Sequence, residues 1–97
     1  MKNCNKLLEL IRRNGCFDIV NPLEIQKGNV TVSFWKYCLT IRRGNQGWIY
    51  CSEKISEDDF PLINQAVQNL LLTDKYIDPF RKDYAKMAMP FVIAEKK

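Results

Sequence analysis

The sequence predicts an α+β fold, a two-layer sandwich in the order α-β-β-β-α-α, with a three-stranded antiparallel sheet carrying helices on one face. Three observations predict it. Apolar residues recur at helical spacing near both ends of the chain, at Leu7, Leu8, Leu10 and Ile11 and again from Phe60 to Leu71. Between these stretches the alternation has period two. The chain has 97 residues, 46% apolar and 27% charged, which suits one core that buries roughly 60–70% of the unfolded surface. A single domain over residues 1–97 is expected, with a frayed tail at 94–97.

The first helix runs from Asn5 to Arg13, with Lys6, Glu9, Arg12 and Arg13 on its polar face. Asn3 or Asn5 can cap its start, and Gly15 can end it in the left-handed conformation. From Cys16 the period changes to two, with Phe17, Ile19, Leu23 and Ile25 on one parity. Pro22 cannot donate to a ladder, so this first strand lies at an edge or is interrupted there. Gln26-Lys27-Gly28-Asn29 is a turn.

Residues 30–43 read as one long extended run. Val30, Val32 and Phe34 point one way, then Trp35, Tyr37, Leu39 and Ile41 the other, which predicts a bulge or sharp twist at Phe34-Trp35. A glycine-bounded loop, Arg43 to Gly47, leads into a third strand from Trp48 to Ile55. Placing Arg43 opposite Trp48 sets Ile41 against Tyr50 and Thr40 against Cys51. One face then carries Trp35, Tyr37, Leu39, Ile41, Trp48 and Tyr50, and the other Cys38, Thr40, Arg42, Ile49, Cys51 and Glu53.

Asp58 or Asp59 caps a second helix better than Ser56 does, because Pro61 fits only within a first turn. Phe60, Ile63, Val67, Leu70 and Leu71 form its core stripe, and Thr73-Asp74-Lys75 breaks it. Asp78-Pro79 has the order of a cap and first helical residue. A third helix is expected from there, with Phe80, Tyr84, Met87 and Phe91 at helical spacing and Pro90 ending or kinking it.

Composition excludes more function than it suggests. The chain has no histidine, which removes the commonest general base, the commonest metal ligand and the usual activator of a serine or cysteine nucleophile. Cys4, Cys16, Cys38 and Cys51 lack the close pairing of a structural zinc site. Nothing at the amino terminus reads as a secretory signal, so a cytoplasmic protein with free thiols is expected, its strand cysteines acting as small buried hydrophobes. Glu57, Asp58 and Asp59 suit the positive end of a helix, and Gly44 and Gly47 are turn glycines without a phosphate-loop pattern. The longest apolar run, Leu70-Leu71-Leu72, is far short of the ~20 residues of a membrane helix. No catalytic residue, metal or cofactor is expected.

The expected function is therefore that of a small non-enzymatic interaction protein, which binds a larger protein or enzyme and modulates or inhibits it. The lack of targeting signals suggests a bacterial or phage-like cytoplasm, and small size with few distinctive features suggests a phage or mobile-element origin. The expected partner-binding residues are Trp35, Lys36, Tyr37, Arg42, Arg43, Trp48 and Tyr50. Trp, Tyr and Arg dominate protein–protein hot spots, and three helices can cover only one face of a small sheet. The Phe80–Phe91 stripe is a second candidate surface. A homodimer that buries the spare face is a further option.

The alternative is nucleic-acid binding. Residues 1–50 hold eight basic and three acidic side chains, whereas residues 51–97 hold seven and eight. Arg12, Arg13, Lys27, Arg42 and Arg43 would be its phosphate contacts. Over residues 3–72, the order helix–strand–strand–strand–helix resembles the double-stranded-RNA-binding domain in topology. The resemblance implies contacts from the first helix, where Arg12 and Arg13 lie, and from the turn Lys27-Gly28-Asn29. It departs from the family in having no histidine in that turn. Glu57-Asp58-Asp59 also stands where the family has a lysine-rich second-helix start.

Overall fold

The computed structural model describes residues 4–93. Six antiparallel strands form one sheet in sequence order: β1 (Asp18–Asn21), β2 (Glu24–Lys27), β3 (Val30–Trp35), β4 (Cys38–Arg43), β5 (Gln46–Cys51) and β6 (Met89–Val92). Helices α1 (Cys4–Gly15) and α2 (Phe60–Thr73) pack on one face. The class is α+β as expected, but the sheet has six strands instead of three and the described residues hold two α-helices instead of three. The expected tail at 94–97 lies outside the described residues, as does the capping role of Asn3.

Two tight turns account for two of the extra strands. The stretch read as one strand from Cys16 reverses at Pro22-Leu23, where Asn21 pairs with Glu24. The Asn21 side-chain oxygen accepts from the Leu23 N–H at 2.9 Å, an Asx turn that needs no glycine. The run 30–43 likewise holds no bulge. It reverses at Lys36-Tyr37, where Trp35 pairs with Cys38. The parity break at Phe34-Trp35 is therefore the mark of a turn two residues further on.

The hairpin of β4 and β5 has a two-residue loop, Gly44-Asn45, with Arg43 opposite Gln46. Ile41 faces Trp48 and Thr40 faces Ile49, two residues away from the expected register. A shift of two preserves parity, so Leu39, Ile41, Trp48 and Tyr50 share one face as predicted. Trp35 does not join them, because the intervening turn places it beside Cys38 on the opposite face.

The third helix is replaced by turns and an edge strand. Asp78 caps a loop: its Oδ1 accepts from the Phe80 N–H and the Tyr50 hydroxyl, both at 3.0 Å, and its Oδ2 accepts from the Ala88 N–H at 2.6 Å. With both ends of the 80–88 segment tied to one carboxylate, a helix through it cannot form. Phe80 and Ala88 are buried, whereas Tyr84 is almost fully exposed. Pro90 then sits in the edge strand β6, where a missing donor is tolerated. Phe91 crosses to the other face of the sheet and lies on Gly47; a Cβ there would overlap its ring.

Both helices end as physical chemistry requires, though by residues partly different from those expected. The left-handed residue after α1 is Cys16, and Gly15 is small because Phe17 and the Gln68 amide leave no room for a Cβ. Ser56 and Asp59 form a capping box around a 3-10 turn, Glu57–Asp59. Asp59 then occupies the N-cap position of α2, its side chain turned back to the Ser56 N–H and to Lys86 instead of capping that helix. The core between helices and sheet comprises Leu7, Leu8 and Ile11 of α1, Ile63, Val67 and Leu70 of α2, and Ile25, Val30, Val32, Leu39, Ile41 and Tyr50 of the strands. The opposite face holds half-buried Thr31, Ser33, Cys38, Thr40, Arg42 and Ile49 with exposed Trp35 and Cys51.

Candidate interaction site

The seven residues expected to bind a partner separate into three places. Trp35, Lys36 and Tyr37 stay together at the tip of the β3–β4 hairpin. Trp35 is 67% and Tyr37 69% exposed. Arg42 and Arg43 lie at the far end of the same hairpin, where Arg42 approaches Glu24 at 3.9 Å and Arg43 pairs with Asp74 at 2.8 Å. Trp48 and Tyr50 belong to the helix side: Trp48 stacks on Tyr76 with centroids 4.6 Å apart, and Tyr50 is buried against Phe80.

The tip is held from both sides. The Phe34 N–H donates to the Leu23 carbonyl at 2.8 Å, and the Ser52 N–H donates to the Tyr37 carbonyl at 2.7 Å. The turn is thus clamped between the β1–β2 turn and the end of β5, and its aromatics are displayed on a fixed backbone. Between Trp35 and the β1–β2 turn lies an open groove of about 350 Å³, lined by Asn21, Leu23, Glu24, Ser33, Phe34 and Trp35. The Lys36 ammonium stands 5.8 Å from the centre of the Trp35 ring, within cation–π range.

Lys36 has φ 54°, the left-handed region that the other two-residue turns of the central strands give to Gly28 and Gly44. A side chain there costs about 1–2 kcal/mol relative to the usual helical region. The sequence hid this turn because it carries no glycine, asparagine or aspartate, and Leu23 and Asn21 were missed with it. Lys36→Gly is expected to stabilise the protein by about 0.5–1 kcal/mol, the strain relieved less the added chain entropy of glycine, read as a higher urea midpoint. An unchanged or lower midpoint would show that the turn is unstrained.

The cations of the nucleic-acid reading are all engaged within the chain. Glu9 binds both Arg12, at 2.5 Å, and Arg13, at 3.3 Å, and the two guanidiniums hold its carboxyl below the usual range, the Arg12 hydrogen bond foremost. The Lys27 ammonium donates to the Gly15 carbonyl at the carboxyl end of α1, 2.7 Å away. Arg42 and Arg43 add the Glu24 and Asp74 contacts, so each of the five cations has an acceptor within the chain, Arg12 and Arg13 sharing the one carboxylate of Glu9. A sheet of six strands with α2 after the fifth also departs from the three-stranded order on which the RNA-binding resemblance rests.

Among the described residues no three His, Cys, Asp or Glu side chains gather as a metal ion would need, and no helix is long and apolar enough to cross a membrane. No protein-family model, curated protein or solved structure matches the chain. A functional reading therefore stands on the geometry of the tip.

Proposed function

We propose that this chain is a small non-enzymatic protein that binds a larger protein inside the cell and modulates it, using the Trp35-Lys36-Tyr37 tip as its contact. One observation carries the reading. Two large aromatics, which folding could have buried, project from a turn that backbone hydrogen bonds fix on both sides. Rigid, exposed Trp and Tyr supply contact area with little side-chain entropy left to lose, and such residues dominate interface energetics. The adjoining groove, of mixed polar and apolar lining, and Lys36 extend the same surface.

The paired state of Arg12, Arg13, Lys27, Arg42 and Arg43 weighs against phosphate binding as the main activity. Capture from a bacterial lysate with the tagged protein, with and without nuclease, separates the two. A protein partner retained after nuclease, and lost by the Trp35→Ala/Tyr37→Ala variant at unchanged circular dichroism, is the expected result. Each truncation should cost about 2 kcal/mol, roughly thirtyfold in affinity. Undiminished capture by the double variant would overturn the assignment of the tip.

A further inference from the structure

We infer that Cys38 and Cys51 form a reversible cross-strand dithiol site that exchanges with low-molecular-weight disulfides. The two residues are direct partners in the β4–β5 ladder, and their side chains share the face turned away from the helices. Cys51 is exposed and Cys38 half-buried; both are free thiols, and neither belongs to the core. Packing therefore does not account for them as it accounts for Leu39 and Tyr50 one residue further along.

The register selects the pair type. In a hairpin with a two-residue loop the residues flanking the loop, here Arg43 and Gln46, are hydrogen-bonded, and every second pair repeats the pattern. That makes Leu39 and Tyr50 a hydrogen-bonded pair and leaves Cys38 and Cys51 non-hydrogen-bonded. The bond from the Ser52 N–H to the Tyr37 carbonyl, 2.7 Å, places the next hydrogen-bonded pair on the other side and fixes the assignment independently. Non-hydrogen-bonded partners have Cα atoms about 4.5 Å apart with side chains close together, at the near end of the range that a disulfide spans.

The chemistry closes without another cofactor. The exposed Cys51 thiolate attacks one sulfur of the external disulfide, forming a mixed disulfide and expelling one small thiolate. The Cys38 thiolate then attacks the Cys51 sulfur, expelling the second. One external S–S bond is reduced to two thiols while one protein S–S bond forms, and the two protons lost by the cysteines go to the leaving thiolates. Excess small thiol reverses both steps, and an exposed bond on a sheet surface is open to that attack. Cys38 also faces Trp35 across β3 and β4, so the linkage would tie down the base of the aromatic tip. The inference itself stands independently of the partner-binding reading.

The test uses the reduced full-length chain incubated with oxidised glutathione, quenched by alkylation, digested and mapped by mass spectrometry. A Cys38–Cys51 link, with the loss of two hydrogens and its disappearance in excess reduced glutathione, is the expected result. Cys38→Ser should instead trap glutathione on Cys51. Stable glutathione on both residues without a link, no reaction at either, or a dominant link to Cys4 or Cys16 would each overturn the proposal. The wild-type mapping needs no variant, so misfolding of a substituted chain cannot obscure the answer.

Discussion

Replacing Asp78 with alanine is expected to remove about 3–5 kcal/mol of stability, a large part of what a domain of this size has. One carboxylate accepts from the Tyr50 hydroxyl and from the backbone N–H groups of Phe80 and Ala88. Bonds to a charged acceptor contribute more than neutral ones, and alanine would leave the Phe80 and Ala88 N–H groups unpaired and the Tyr50 hydroxyl with Tyr76 as its one remaining partner. The loss should be local first. The 80–88 loop and β6 would detach, exposing Trp48 and Gly47, which Pro90 and Phe91 now face across the β5–β6 ladder. Urea unfolding measures the global cost, and hydrogen exchange at Ala88 the local one. Asp78→Asn, which keeps one acceptor oxygen, should fall between. A cost below about 1 kcal/mol for the alanine variant would mean that the loop is held by its apolar contacts alone.

Stability should also fall steeply above about pH 10, where phenols of the unfolded chain ionise. Tyr50 is pushed well above the ordinary tyrosine range, by burial first and then by Tyr76 and Asp78 beside it. Tyr76 is raised as well, again chiefly by burial, although its hydrogen bond with Tyr50 acts the other way. A folded-state pKa above the unfolded one gives stability that is fully present below the unfolded value. It is lost as pH rises from there toward the folded values. The expected slope is about 1.4 kcal/mol per pH unit for each phenol that ionises only on unfolding. Denaturation curves taken at steps from about pH 9 to 11 would show it, and Tyr50→Phe should make the decline shallower. With Tyr37 and Tyr84 replaced by Phe, phenolate absorbance should rise only as the fold is lost. A stability curve that stays flat across this interval would contradict the placement of the buried pair.

How far the fold was legible depended on whether a local pattern had one solution. α1 and α2 were readable because Leu7, Leu8, Ile11 and Ile63, Val67, Leu70 recur at a spacing that only a helix places on one side. The glycine turns at Gly28 and Gly44 were readable for the same kind of reason. Lys36-Tyr37 and Pro22-Leu23 were not. One is a positive-φ turn occupied by lysine, without the composition by which a reversal is recognised; at the other, Asn21-Pro22 marked a possible interruption but did not choose between an edge strand and a full reversal closed by the Asn21 side chain.

The C-terminal segment failed differently. Asp78-Pro79 followed by Phe80, Tyr84, Met87 and Phe91 has a helical pattern in full, and a helix would satisfy it locally. What overrides it is distant in sequence: the Tyr50 hydroxyl on β5 draws Asp78 inward, and Gly47 leaves a space that the Phe91 ring fills. Of the seven residues expected to bind a partner, the three adjacent in sequence remain adjacent in space, because a tight turn keeps neighbours together. Arg42, Arg43, Trp48 and Tyr50 were grouped by residue type on one small sheet, and residue type cannot tell a buried face from an open one.

The sequence by itself thus determined the α+β class, both helices with their buried stripes, the shared face of Leu39, Ile41, Trp48 and Tyr50, and the lack of histidine-based chemistry. These rest on periodicity and composition, which each stretch of chain carries alone. Only the tertiary structure decided the number of strands, the fate of residues 77–93, which aromatics lie open, and the pairing of Cys38 with Cys51. Those depend on contacts between groups far apart in sequence, where a two-residue change in register or one half-buried carboxylate outweighs any local preference.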